Sequence, residues 1–186
     1  MKAWQWAGVA IASLLIFKRQ TIAGLMVKPT TALQDANVQA FLATIRHFES
    51  GGDYAILYGG GHFYDYSTHP NIHVPFYNPV RSGEQGVPND YSTAAGAYQI
   101  NHPTWLLWSA VPGAPSDFSP ASQDYLAVVG LQLKGALPDI IAGNFASAVD
   151  KVSATWASMP GSTAQQNPAT LAAVMNVYTS HGGVIA

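Results

Sequence analysis

Between residues 37 and 49, apolar side chains stand at positions 38, 41, 42, 45 and 48. That spacing requires a helix buried along one face. Ser50-Gly51-Gly52 follows directly and stops the helix. Its last turn carries Glu49, one of two glutamates in 186 residues, the other being Glu84. A carboxyl group there feels the negative end of the helix dipole, which favours the protonated form. Burial beside Phe48 would shift it the same way. A carboxylic acid that keeps its proton near neutral pH is the reagent that breaking a glycosidic bond requires. The plainer reading, a helix that happens to end in glutamate, stands beside it.

Charge narrows the classes further. Only 10 % of the residues are charged, against about 25 % in an average soluble domain. Lys2, Lys18, Arg19 and Lys28 give the first thirty residues +4 with no acid, and the remaining 156 hold four basic and ten acidic groups. A body at −6 with no basic face argues against nucleic acid as a partner. With no cysteine in the chain, disulfides and thiolate metal sites are excluded.

The N-terminus reads as a separate object. Ala3 to Phe17 is fifteen uncharged, largely apolar residues, broken by Lys18-Arg19-Gln20 and resumed from Thr21 to Val27. Fifteen helical residues reach about 22 Å, short of the roughly 30 Å hydrocarbon core. Residues 1–30 are therefore expected to be a signal-anchor-like apolar helix and linker, with membrane contact through residues 3–27. Residues 31–186 form the second unit.

Lys28 to Leu33 reads as the linker between the two. Tyr54 to Tyr58 and His62 to Tyr66, joined through Gly59-Gly60-Gly61, read as a short hairpin, and 78 to 90 as a polar loop. Helices are expected around 103–109, from about 120 to 135 behind Ser119-Pro120, over 144–157, and from Asn167-Pro168 to His181. The class is α+β, mainly α, with a small β-hairpin element.

Asp53 and Asp65 are the candidates nearest in sequence for a second carboxylate, and both suit ordinary turn or capping roles equally well. Asp65, His69 and His73 are spaced by four, but Pro70 and Pro75 prevent the helix that would align them for a metal. The chain has no H-E-x-x-H, no G-x-S-x-G and no phosphate-cradling glycine loop. No metal or cofactor is expected. Ser92-Thr-Ala-Ala-Gly-Ala-Tyr-Gln-Ile100 combines small residues that admit a bulky polymer with Tyr98 as a sugar-stacking face and Gln99 as an amide donor and acceptor. A tight turn ahead of a helix explains it as readily.

Six blocks, in this order, resemble the lambda-type phage endolysins, lysozyme-like lytic transglycosylases. They are Phe48-Glu49-Ser50-Gly51, Phe63-Tyr-Asp-Tyr-Ser-Thr-His-Pro70, Ser92-Thr-Ala-Ala-Gly-Ala-Tyr-Gln99, Phe118-Ser-Pro-Ala-Ser-Gln-Asp124, Gly135-Ala-Leu-Pro138 and Trp156-Ala-Ser-Met-Pro-Gly161. The resemblance covers about residues 37 to 183. It implies a lysozyme-like two-lobed fold whose cleft binds peptidoglycan glycan strands. It implies Glu49 as the acid that protonates the glycosidic oxygen between N-acetylmuramic acid and N-acetylglucosamine. The same group would then take a proton from the muramic acid's own 6-hydroxyl, leaving a 1,6-anhydro end. Asp65, Tyr66, Ser92, Tyr98 and Gln99 would bind substrate. The added N-terminal segment departs from the family's soluble members. It implies an enzyme held at a host inner membrane or in a virion, acting on the wall in the periplasm. A hydrolase on the same fold, or a non-catalytic wall-binding or membrane protein, are the alternative readings.

Overall fold

The computed structural model describes residues 27–79, 81–162 and 168–186. The expected N-terminal apolar helix lies outside them. Among the described residues no helix is long and apolar enough to cross a membrane.

The stretch expected to be linker is in fact a short helix, α1 (Pro29–Ala32). Proline at its first position is pre-set for helical φ, and Ala32 is buried against the core. Helix α2 (Ala36–Ser50) is the one the apolar spacing required. Asp35 caps it, its Oδ1 accepting from the amides of Asn37 at 2.9 Å and Val38 at 3.1 Å. Val38, Phe41, Leu42 and Ile45 are buried, and Phe48 packs at the edge of the core. Gly51 ends the helix at φ +65°, a conformation that favours glycine.

The hairpin lies elsewhere than expected. Residues 54–66 hold only a single bridge between Ile56 and His62 around a 3-10 turn at Tyr58–Gly60. The chain cannot pair further because its second arm is drawn away. Phe63 is buried against Tyr66 and Phe118, and the Tyr66 carbonyl accepts from the Phe118 amide at 2.8 Å. Among the described residues, the one sheet pairs β1 (Val74–Phe76) with β2 (Asp90–Ser92), antiparallel, with Val74 opposite Ser92 and Phe76 opposite Asp90. The polar stretch from 78 onward is the connection between them.

The rest is helical: α3 (His102–Ser109), α4 (Pro120–Leu133), α5 (Leu137–Ile141), α6 (Phe145–Val152) and α7 (Leu171–Ser180). In α4 an unbroken run from Leu126 to Leu131 is buried, which makes it the central helix; α1, α2, α3 and α5 all pack on it. Helix α6 stops at Val152, short of the expected 157, yet Trp156 is still buried and donates from Nε1 to the Tyr98 carbonyl at 3.1 Å. Helix α7 starts at Leu171 because Thr170 is extended and its Oγ1 accepts from the Ala173 amide; Asn167 lies outside the described residues.

Candidate active site

A cavity of about 370 Å³ opens where four pieces of chain meet: the end of α2, the Tyr58–Gly60 turn, the stretch from Ser92 to Asn101, and the turn after α6. Glu49 is the single carboxylate lining it among the described residues. Its Oε1 accepts from Ser158, from the hydroxyl at 2.5 Å and from the amide at 3.2 Å. Oε2 has no protein partner among the described residues. Burial raises the Glu49 pKa above the usual carboxylate range, and the two Ser158 bonds, which favour the anion, offset only part of that. The carboxyl group is thus an acid biased towards keeping its proton.

The helix that carries Glu49 is pinned one turn earlier. Arg46 donates from Nη1 to the Tyr98 hydroxyl at 2.7 Å and to Asp124 of α4 at 3.1 Å. Asp124 Oδ1 also accepts from the Tyr98 hydroxyl at 2.5 Å and the Tyr54 hydroxyl at 2.8 Å. Burial, with Asp124 nearby, drives the Tyr98 pKa well above that of a free phenol and pushes Tyr54 up to about 12. Both phenols stay neutral donors. Ser50 Oγ adds a bond to the Ala97 carbonyl at 2.9 Å.

The structure separates the residues the sequence had grouped. Ser92 and Gln99 line the Glu49 cavity. Tyr98 does not offer a stacking face, because its ring is fully buried beneath the site. Tyr66 packs edge-on to Phe63 outside the cavity lining. Asp65 is exposed and closes a turn, accepting from the Ser67 amide at 2.8 Å. Asp53 is also outside the cavity; it accepts from the Ala55 amide at 2.7 Å and pairs with His62 at 2.8 Å. His69 is buried and bonded to the Ile100 carbonyl, while His73 stacks on Tyr91.

The small residues of the 92–97 stretch also serve a different end from the one expected. A Cβ on Gly96 would fall 2.1 Å from Gln123 Oε1, which accepts from the Ala97 amide at 2.8 Å. Glycine there admits a buried glutamine of α4 rather than a polymer. Gln99 takes φ +47°, which is strained for a non-glycine residue; it lines the cavity, and its side-chain Nε2 donates to the Gly96 carbonyl at 3.1 Å.

Ser158, Tyr58, Asn101 and Thr155 complete the wall and escaped the sequence reading. Ser158 lies inside the Trp156–Gly161 block but shows no local signal, since its partner is 109 residues away. Tyr58 stood in view as the aromatic residue before three glycines. Its ring packs against Phe76 of β1 at 5.5 Å, which fixes an aromatic surface beside the cavity.

A mainly helical α+β body with a two-strand sheet and one half-buried carboxylic acid in an open cavity defines the class as lysozyme-like. The family model for endolysins matches residues 39–185, and the chain belongs to that family of lysozyme-like, peptidoglycan-degrading enzymes. It is 38 % identical over 125 residues to the endolysin of Escherichia phage P2, covering 66 % of this chain and 70 % of that one. It is 37 % identical over 108 residues to the endolysin of Escherichia phage lambda, covering 58 % and 61 %. In three dimensions it is similar to bacteriophage lambda lysozyme complexed with a chitohexasaccharide, at a TM-score of 0.71 and 30 % identity, covering 82 % of this chain and 97 % of that chain. A second structure of lysozyme from bacteriophage lambda gives a TM-score of 0.67 at the same identity and coverage.

Proposed function

We propose that the protein is a lytic transglycosylase that cuts the β-1,4 bond from N-acetylmuramic acid to N-acetylglucosamine with Glu49 as its one acid–base group. The observation that carries this reading is the lone carboxyl group of the cavity, whose burial favours its protonated form. A hydrolase with two carboxylates needs them about 5–5.5 Å or 6.5–9.5 Å apart on either side of the bond. Asp53 and Asp65 are outside the cavity lining and committed to turns, which favours a mechanism with one.

Glu49 donates its proton to the glycosidic oxygen as the bond to the muramic acid C1 breaks, releasing N-acetylglucosamine with a free 4-hydroxyl. The glutamate, now an anion, accepts the proton of the muramic acid's 6-hydroxyl while that oxygen bonds to C1. The acid is regenerated, a 1,6-anhydro ring is formed and no water is consumed. The nucleophile belongs to the reacting sugar, so its effective concentration is high without a second protein group to position it. Ser158 holds the carboxyl group through Oε1 and leaves Oε2 for the proton. Tyr58 supplies an apolar ring for a sugar face, and Ser92, Gln99 and Asn101 supply polar atoms. A chitohexasaccharide bound to the similar lambda lysozyme supports a glycan strand as the occupant.

The apolar stretch 3–27 belongs to the same proposal as a membrane contact that holds the enzyme near the wall. Mass spectrometry of peptidoglycan digested by the full chain, beside Glu49→Gln, tests the reaction. Anhydromuramyl ends made by the wild type alone are expected; reducing muramic acid ends would overturn it in favour of water as nucleophile.

A further inference from the structure

Beyond residue 30 the chain carries four cations, and three of them are committed. Arg46 pairs with Asp124 at 3.1 Å, Arg81 with Asp90 at 2.8 Å and Lys151 with Asp139 at 2.5 Å. Lys134 pairs with no carboxylate among the described residues. It stands exposed where α4 ends, on the wall of a second cavity of about 500 Å³. This cavity adjoins the first, since Gln99, Asn101, Thr155 and Trp156 line both.

Two more features of the second cavity point to a ligand. Among the described residues, Thr155 Oγ1 is buried without a hydrogen-bond partner, a cost that a bound acceptor or donor would remove. Leu107 and Leu133 line the same space at 64 % and 52 % exposure. The ligand that suits this wall is anionic, carries aliphatic groups and amides, and is tethered to whatever fills the Glu49 cavity. In peptidoglycan that description fits the peptide stem on the muramic acid lactyl group, which carries free carboxylates. The body of this protein is acidic overall, so an approaching stem needs one local cation to offset repulsion.

Resting on the glycan reading of the Glu49 cavity, we infer that the second cavity is a stem-peptide subsite. Lys134 pairs with a stem carboxylate, Thr155 bonds a stem amide, and Leu107 and Leu133 cover its aliphatic side chains. The enzyme therefore selects glycan that still bears its peptides.

Binding of the full chain in a Glu49→Gln background tests this without cleavage. The two probes are glycan strands with their stems and the same strands after an amidase has removed them. Lys134→Glu is expected to weaken capture of stem-bearing strands at least tenfold more than capture of stripped strands, with Lys134→Arg restoring it and added salt shrinking the difference. Equal loss on both probes, or no loss on either, overturns the subsite. Thermal melting checks the variant, and Lys134→Gln carries the same comparison if the charge reversal melts early. A chain with Lys134 intact that captures neither probe overturns the glycan reading as well. A chain that captures both but makes reducing ends overturns only the transglycosylase step.

Discussion

At the scale of the residue, the chemistry turns on the contest over one proton. Burial pushes the Glu49 pKa up and Ser158 pulls it part of the way back. Ser158→Ala removes the 2.5 Å hydroxyl bond to the anion, so the pKa should rise further. The alkaline limb of the pH–rate profile should then move to higher pH, and movement to lower pH would refute the assignment. Glu49→Gln keeps the shape and an acceptor for Ser158 but has no proton to give. A loss of about 10³-fold or more in cleavage is expected from general acid–base magnitudes, with the native fold kept. The same substitution has a thermodynamic signature. With its folded pKa above its unfolded value, Glu49 contributes stability that is present at low pH and lost as pH rises through the folded pKa. The melting temperature of Glu49→Gln relative to wild type should therefore climb with pH through that window. Gln99 makes a second case. Relieving its φ of +47° with Gln99→Gly should leave thermal stability unchanged or raised, and lower activity by removing an amide from the cavity wall.

At the scale of the element, the site depends on how α2 is held against α4. Asp124 accepts three hydrogen bonds, from Arg46, Tyr54 and Tyr98. Asp124→Asn leaves the Arg46 charge without its counterion and should cost about 2 kcal/mol, readable by denaturant melts. His69 is the other internal brace. Burial lowers its pKa from 6.5 to about 4, so the unfolded chain takes up a proton in that window before the folded one does. Stability should fall by about 3 kcal/mol as pH drops from 6.5 to 4, and His69→Gln should flatten the fall.

Periodicity made α2 legible in the sequence, because its buried face recurs at i, i+3 and i+4, and α4 was legible from its Ser119-Pro120 start. Glu49 was legible for the same reason as α2, with a glycine stop two residues on. The sheet was misplaced because three glycines make a hairpin plausible locally, while the pull of Phe63 and Phe118 into the core is a non-local fact. The burial of the Tyr98 ring was not legible because nothing in a single sequence says which face of an aromatic residue is covered. Ser158 could not be found by spacing at all.

At the scale of the whole molecule, charge is distributed by region. The first thirty residues carry +4 and the rest −6. If residues 3–27 contact a membrane as proposed, the full chain should co-sediment with vesicles containing anionic lipid, and more weakly as salt rises. An Ala3–Val27 deletion that sediments equally well would refute that contact. The acidic body, for its part, should show no salt-dependent affinity for DNA or RNA, a point a simple gel-shift assay checks.

Glu49 and the serine that positions it are 109 residues apart in the chain. On a ribosome, or in a chain threaded through a translocation channel, Glu49 emerges long before Ser158 and is then an ordinary, ionised carboxylate in water. The reagent comes into being only when the last third of the polypeptide closes over the first. A cell making this enzyme is thus spared an active nascent fragment.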